Sequence, residues 1–237
     1  MWQTFADAAP LLLHGLWVTV YYTVCGALAA FVISFVLGLM ALSPVTVVRV
    51  VSRVVVEFFR GTSLVVQLFW IFYVLPQFGY KLAPLAAATV AFGLNFGAYG
   101  SEVVRGAIVS VPKAQWEATV ALSLSPFQRM RRVILPQAVP EMIPPFGNLL
   151  VQVLKSSSLL FYLAITEFTF EIQELRYNLP STFQAYVLAL IVYFLVAQAF
   201  IYGMRFWERR AATRVGRGPV KVRPENIQAV PEKGAAL

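Results

Sequence analysis

The chain has 237 residues, of which 59% are hydrophobic and only 13% charged, with a formal net charge of +8 and a mean hydropathy of +0.72. Those proportions exclude a soluble enzyme, a secreted disulfide scaffold and a disordered chain, and they call for an integral membrane protein. The basic excess falls in loops and the tail, which directs it to membrane orientation and acidic lipid headgroups rather than to nucleic acid. Cys25 is the single cysteine, so no internal disulfide and no cysteine metal cluster can form, and a small buried hydrophobe is the simplest role for it.

A helix needs about 20 mostly apolar residues to cross the hydrocarbon core. Charge-free runs predict five crossings: Leu16 to Leu42, ending before Ser43-Pro44; Gly61 to Tyr80; Leu82 to Ser101; Met142 to Thr166, with Lys155 near its middle; and about Phe183 to Met204. Residues 1–14 are expected at the outer interface, with His14 as an interfacial side chain and no removable signal peptide. Placing the N-terminus outside and the C-terminus inside puts sixteen basic residues on the cytoplasmic side and leaves only Lys81 and Arg176 in the outer loops, as the positive-inside rule requires. Glu167, Glu171 and Glu174 fall in the outer loop between the last two crossings. The expected fold class is therefore an all-α membrane protein with five transmembrane helices, spanning residues 15–208, followed by a basic tail, 209–237, with its first part on anionic lipid and the rest disordered. Gly93, Gly97 and Gly100 in the third crossing allow close helix contact. No internal repeat is visible, and five helices enclose too little for a pathway, so a second chain is expected beside this one.

Between the third and fourth crossings, residues 102–141 form a cytoplasmic loop too long to be a simple connection. Pro112 opens one short helix over Lys113 to Leu124. Ser125-Pro126-Phe127-Gln128 reads as a capping box starting a second, which is expected to stop near Leu135-Pro136. On physical grounds the pair either lies on anionic lipid or docks a partner.

Here the residues carry a resemblance. Glu117-Ala118-Thr119, Ser123 six positions after the glutamate, and Val133-Ile134-Leu135-Pro136 resemble the EAA signature of permease subunits in binding-protein-dependent ABC importers, with Thr119, Ser123 and Val133 in place of Ala, Gly and Ile. Further stretches are similar to the subfamily that imports polar amino acids and opines: Glu57 to Thr62, Val65 to Phe69, Asn95 to Tyr99 with Glu102 and Arg105, Val111 to Lys113, and Pro144-Pro145 with Gly147-Asn148 and Leu154-Lys155. About residues 15 to 205 are covered.

The resemblance implies a type I ABC importer permease in the bacterial inner membrane. Its partners would be a second permease subunit, two cytoplasmic ATPases that bind ATP and Mg, and an extracytoplasmic solute-binding protein. Glu117 to Leu124 would be the coupling helix, with Glu117, Ala118, Thr119, Ser123, Leu135 and Pro136 contacting or shaping the ATPase socket. The residues agree with that division of labour, since no GxxxxGK[ST] phosphate cradle occurs in the chain. No cofactor, metal or catalytic residue is expected here.

A lysine at a helix centre costs about 2.5–3.5 kcal/mol on insertion scales. Asn148, Gln152 and Lys155 lie at i, i+4 and i+7 with Ser156 beside them, and Asn95, Tyr99 and Glu102 repeat the spacing. Two polar stripes fit a hydrated path or a site for a zwitterion, with Lys155 facing a carboxylate; the alternative is interhelical hydrogen bonding with Lys155 snorkelling outward. Glu102 is expected to pair with Arg105, and Pro144 and Pro145 to start the fourth crossing. The expected function is transport of polar amino acids or similar small zwitterions, such as opines or compatible solutes like ectoine. A passive or ion-coupled carrier is the alternative, but it would favour a carboxylate deep in a crossing, and none lies there. A membrane enzyme would need clustered catalytic groups that one histidine and one cysteine do not supply.

Overall fold

A computed structural model describes residues 2–178 and 181–214. Among them every regular element is helical: α1 (Trp2–Ala41), α2 (Thr46–Gly61), α3 (Leu64–Phe69), α4 (Pro84–Val109), α5 (Lys113–Ala121), α6 (Pro126–Arg129), α7 (Leu135–Ser156), α8 (Phe168–Tyr177) and α9 (Thr182–Arg214). Three helical stretches are long and apolar enough to cross a membrane, Asp7–Ala41, Pro126–Leu163 and Thr182–Arg210, and a fourth arises if α2 and the Leu64–Phe78 segment, bent by 102° at their junction, are counted as one. α4, 26 residues long and carrying four glycines and Asn95, is not among them.

The central contact is α1 against α4, and it is made where side chains are missing. A methyl group at Gly97 would lie 2.6 Å from Ile33 Cγ2, one at Gly93 2.9 Å from Ala29 Cβ, and one at Gly26 2.8 Å from the Phe92 ring. The expected role of Gly93, Gly97 and Gly100 in close packing is thus realised within this chain, with α1 as the partner. Ser34, fully buried in α1, donates to Ala30 O at 2.6 Å and across the interface to Gly97 O at 3.2 Å. Phe92, Ala88, Ala91 and Leu68 complete the fully buried core beside it. Side chains such as Trp17, Leu28, Val32, Leu190 and Phe194 point outward and are exposed, as a lipid-facing surface requires.

Several boundaries differ from the sequence expectation, each for a local reason. α1 begins at Trp2 rather than Leu16, with Pro10 inside it, because Asp7 and His14 end an apolar run without ending a helix. The second crossing does not begin as a continuous helix at Gly61; α2 ends there, with Thr62 extended at φ −110° and ψ 153°, and the chain turns sharply before α3. The loop helix does not stop at Leu135-Pro136. Proline at 136 has no N–H and crowds the carbonyl four residues back, and the chain accommodates it with a π-helical turn, Met130–Ile134, closed by Leu135 N–H donating to Met130 O. Pro144 and Pro145 accordingly lie inside α7 instead of starting it. After Ser156 the chain tightens into a 3₁₀ segment, Ser157–Leu163, and the connection from there to α9 contains α8. Of the expected tail, 209–214 continues α9, and residues from 215 on lie outside the described residues.

The α1–α4 contact gives a direct stability test. Gly97→Ala should destabilise the purified protein by about 1–3 kcal/mol through overpacking against Ile33. Gly106→Ala, where an added methyl meets nothing within 4 Å, should be neutral or stabilising by up to about 1 kcal/mol. Thermal melts in detergent read both, and equal effects at the two positions would contradict the packing described.

Candidate functional site: the coupling loop and the polar positions

The loop after α4 is anchored as well as exposed. Thr119 is buried, and its hydroxyl donates to Trp116 O at 2.6 Å; Trp116 packs with Met130 and Val133 on the core of Val104, Ile108, Ile134 and Ala138. With that face of α5 held, Glu117 and Ala118 project outward and are exposed. Val120, Leu122 and Phe127 stand out beside them, with the Arg131 guanidinium 6.0 Å from the Phe127 ring centre. The surface is an apolar tip edged with charge, which suits a protein socket better than a flat membrane.

α5 is closed by backbone bonds from Leu124 N to Thr119 O at 3.1 Å and from Ser123 N to Val120 O at 2.8 Å. This is a Schellman ending, and it holds Ser123 in the left-handed region at φ +54°. Glycine meets that demand without strain, so serine here carries a conformational cost rather than only reduced flexibility. The expected capping box is present: Gln128 N donates to Ser125 Oγ at 3.3 Å and Ser125 N to Gln128 Oε1 at 3.2 Å. Leu135 is half-buried against the loop core, while Pro136 is exposed.

The two polar stripes have different fates. Asn95 is only 5% exposed. Its amide donates to Phe59 O at 3.1 Å and Gln67 Oε1 at 3.2 Å, and Gln67 Nε2 donates in turn to Phe59 O at 3.0 Å and Thr62 Oγ1 at 2.6 Å. Tyr99 OH donates to Arg60 O at 3.3 Å, under the Arg60 guanidinium 5.3 Å from its ring. These side chains satisfy carbonyls that the end of α2 leaves open, so Asn95 is committed to the bend and does not lie on an open face. On α7, Asn148, Gln152 and Lys155 share one exposed side, with Ser156 half-buried at its end. No hydrogen bond joins this stripe to Asn95 or Tyr99 among the described residues. Glu102 pairs with Arg105 as expected, at 2.7 Å.

Sequence reasoning missed two clusters. Gln67 was visible as a lone amide in an apolar run, but its partners, the carbonyls at the bend, were not. The other is Glu167, which is fully buried and caps α8, accepting from Thr169 N at 2.9 Å and Phe170 N at 3.0 Å. It also accepts from Thr19 Oγ1 at 3.2 Å and Tyr193 OH at 3.1 Å, which ties α1, α8 and α9 together. Burial pushes the Glu167 carboxyl above the usual glutamate range, against the opposing pull of those hydrogen bonds. Glu171, packed where Gly15 leaves room, is raised by burial too, with the charge of His14 opposing.

With this geometry in hand, the family follows. Residues 30–212 match the family model described as the binding-protein-dependent transport system inner membrane component. The chain belongs to this family. It is 41% identical over 201 residues to the probable amino-acid ABC transporter permease protein y4tF of Sinorhizobium fredii (strain NBRC 101917 / NGR234), covering 82% of this chain and 84% of that protein. It is 32% identical over 211 residues to the glutamine transport system permease protein GlnP of Escherichia coli (strain K12), covering 88% and 96%. Among solved structures it is similar to one described as the crystal structure of an amino acid ABC transporter with histidines, at a TM-score of 0.80 and 28% identity, covering 89% of this chain and 98% of that one. The permease is thus an all-α inner-membrane component of an ABC transport system, and the carrier alternative finds no support in these likenesses.

Two measurements probe the site. Ser123→Gly should stabilise the permease by about 1 kcal/mol, whereas Ser123→Val should destabilise it, because a β-branched side chain is least tolerant of positive φ; thermal melts that rank Val above Gly would refute the left-handed ending. For Glu167, a carboxyl whose folded pKa is raised means that the folded state holds more protons than the unfolded one, so its contribution to stability falls as pH rises above about 4.5. Glu167→Gln should flatten that part of the stability–pH curve, and Glu167→Ala, which strands several donors, should cost about 2 kcal/mol or more.

Proposed function

We propose that this chain is the permease subunit of an importer for polar amino acids or similar small zwitterions, opines and ectoine-like solutes included. It crosses the membrane five times, by α1, the Leu64–Phe78 segment, α4, α7 and α9, with its N-terminus outside. It works beside a second permease chain, identical or paralogous, over two cytoplasmic ATPases that hold ATP and Mg, and beneath an extracytoplasmic solute-binding protein. This chain itself binds no cofactor and alters no bond in the cargo.

The observation that carries the reading is α5. Its inner face is locked to the membrane helices through Thr119 and Trp116, and its outer face offers Glu117 and Ala118. Force applied to Glu117 and Ala118 reaches Ile134, and from there runs along the helical stretch Pro126–Leu163 into the bilayer. ATP binding draws the two loops together, and tilting of the helices exposes the polar positions to one side at a time. Lys155, Gln152, Asn148 and Ser156 face the cargo on α7; Asn95 and Tyr99 act indirectly, by holding the bend before α3. The names of the relatives support amino acids as the cargo class.

Glu117→Arg or Ala118→Trp should abolish ATP-driven uptake in vesicles carrying the whole complex while the permease still inserts in the membrane. Uptake and ATP hydrolysis at wild-type rates in both variants would remove α5 from the coupling role.

A further inference from the structure

α2 has three faces of different chemistry. Val47, Val50, Val54 and Phe58 point outward and are exposed; Ser52 and Val56 are buried in the seam with α1 and α4. The third face carries Arg49, Arg53, Glu57 and Arg60, at i, i+4, i+8 and i+11. All four side chains are exposed, yet they gather at one recess rather than scatter over the surface. Together with Glu102 and Arg105 of α4, and closed by Ala41 and Leu42 at the end of α1, they line a cleft of about 390 Å³, within the range of small-molecule sites, about 300–1,000 Å³. The cleft sits at the end of α1 remote from Glu167, on the side from which α4 continues into the coupling loop.

The charges in the cleft are unequally committed. Glu102 and Arg105 neutralise each other at 2.7 Å. Arg49 donates to Ser43 O at 3.2 Å and Thr46 Oγ1 at 3.1 Å, and Arg60 lies over Tyr99. Arg53 and Glu57 face the same cleft one helical turn apart, yet make no ion pair or hydrogen bond, with each other or with any other described residue. Two unpaired opposite charges about 5–6 Å apart at Cβ match a molecule carrying both signs close together. A bare anion would meet Glu57, and a bare cation would meet the arginines.

We propose that the cleft between α1, α2 and α4 is a binding station for the headgroup of an α-amino acid on the coupling-loop side, with Arg53 taking the α-carboxylate and Glu57 the α-ammonium. This rests on the amino-acid reading above and deepens it. It gives the cargo a last polar contact before release and makes recognition there depend on the headgroup rather than on the side chain.

The test uses the whole complex, with its ATPases and binding protein, in phosphatidylcholine vesicles supplied with ATP, and reads accumulation of a radiolabelled mixture of the common α-amino acids. Arg53→Gln and Glu57→Gln should each cut uptake by about tenfold or more, the scale of one lost charge-assisted hydrogen bond. The exchange of both, Arg53→Glu with Glu57→Arg, should restore part of it, since a zwitterion can bind reversed; size-exclusion of each variant complex checks assembly. Unchanged uptake in both single variants overturns the station. So does a wild-type dependence on added phosphatidylglycerol that Arg53→Gln loses and Glu57→Gln keeps, which would assign the cleft to a lipid phosphate. Wild-type vesicles that accumulate no amino acid at all would instead overturn the transport reading, and the station with it.

Discussion

Two helices can run side by side at short range only where one gives up its side chains, and the α1–α4 contact is built on that constraint. Gly26 makes room for the Phe92 ring, Gly93 for Ala29 and Gly97 for Ile33. The hydrophobic effect offers no net drive for helix association inside a bilayer, so close van der Waals contact and hydrogen bonds such as Ser34 to Gly97 O must supply it. Because α4 is thereby buried on the α1 side, its polar positions are forced elsewhere, and each finds a partner set by geometry. Asn95 meets the bend, Tyr99 the last carbonyls of α2, and Glu102 its own Arg105.

The bend between α2 and α3 leaves backbone carbonyls open, and an unpaired buried carbonyl costs several kcal/mol. The chain offsets this with side-chain donors from both flanks: Gln67 from within α3 and Asn95 from α4 converge on Phe59 O. The connection before α9 uses the reverse arrangement. There the open groups are the N–H donors at the start of α8, and a buried carboxylate, Glu167, accepts from two of them and from Thr19 and Tyr193 as well. Polar groups inside this protein therefore serve first to close breaks in helices, which is also what frees the α7 stripe, exposed and uncommitted, for another role.

Hydropathy alone located the long apolar helices and the long helical loop between the third and fourth of the expected crossings, because both are statements about composition over many residues. The capping box at Ser125 and the tight packing at Gly93 and Gly97 were legible too, since each depends on residue types at short fixed spacing. What the pattern could not carry was anything set by contacts distant in sequence. Asn95 and Asn148 look alike as amides in apolar runs, yet one is sealed against α2 and the other is exposed; only the rotation of each helix against its neighbours separates them. Prolines misled in the same way. Pro136 and Pro144-Pro145 read as boundaries, but a π turn and tertiary packing keep the helix going through them.

That continuity bears on how such a loop can act. A coupling element joined to the bilayer by a flexible hinge would absorb displacement instead of passing it on. Here α6, the π turn and α7 form one helical path from Pro126, and α5 is held to it through Trp116, which packs with Met130 and Val133 on the core around Ile134. The one strained residue of the loop, Ser123, lies on the outer side of the clamp, between the two short helices. Bending there changes the angle at which α5 meets its partner without loosening its grip on α7. In the proposed coupling, a displacement of α5 would pass along this path toward the α7 stripe, and the prolines on it, by removing backbone hydrogen bonds, would set where the helix yields.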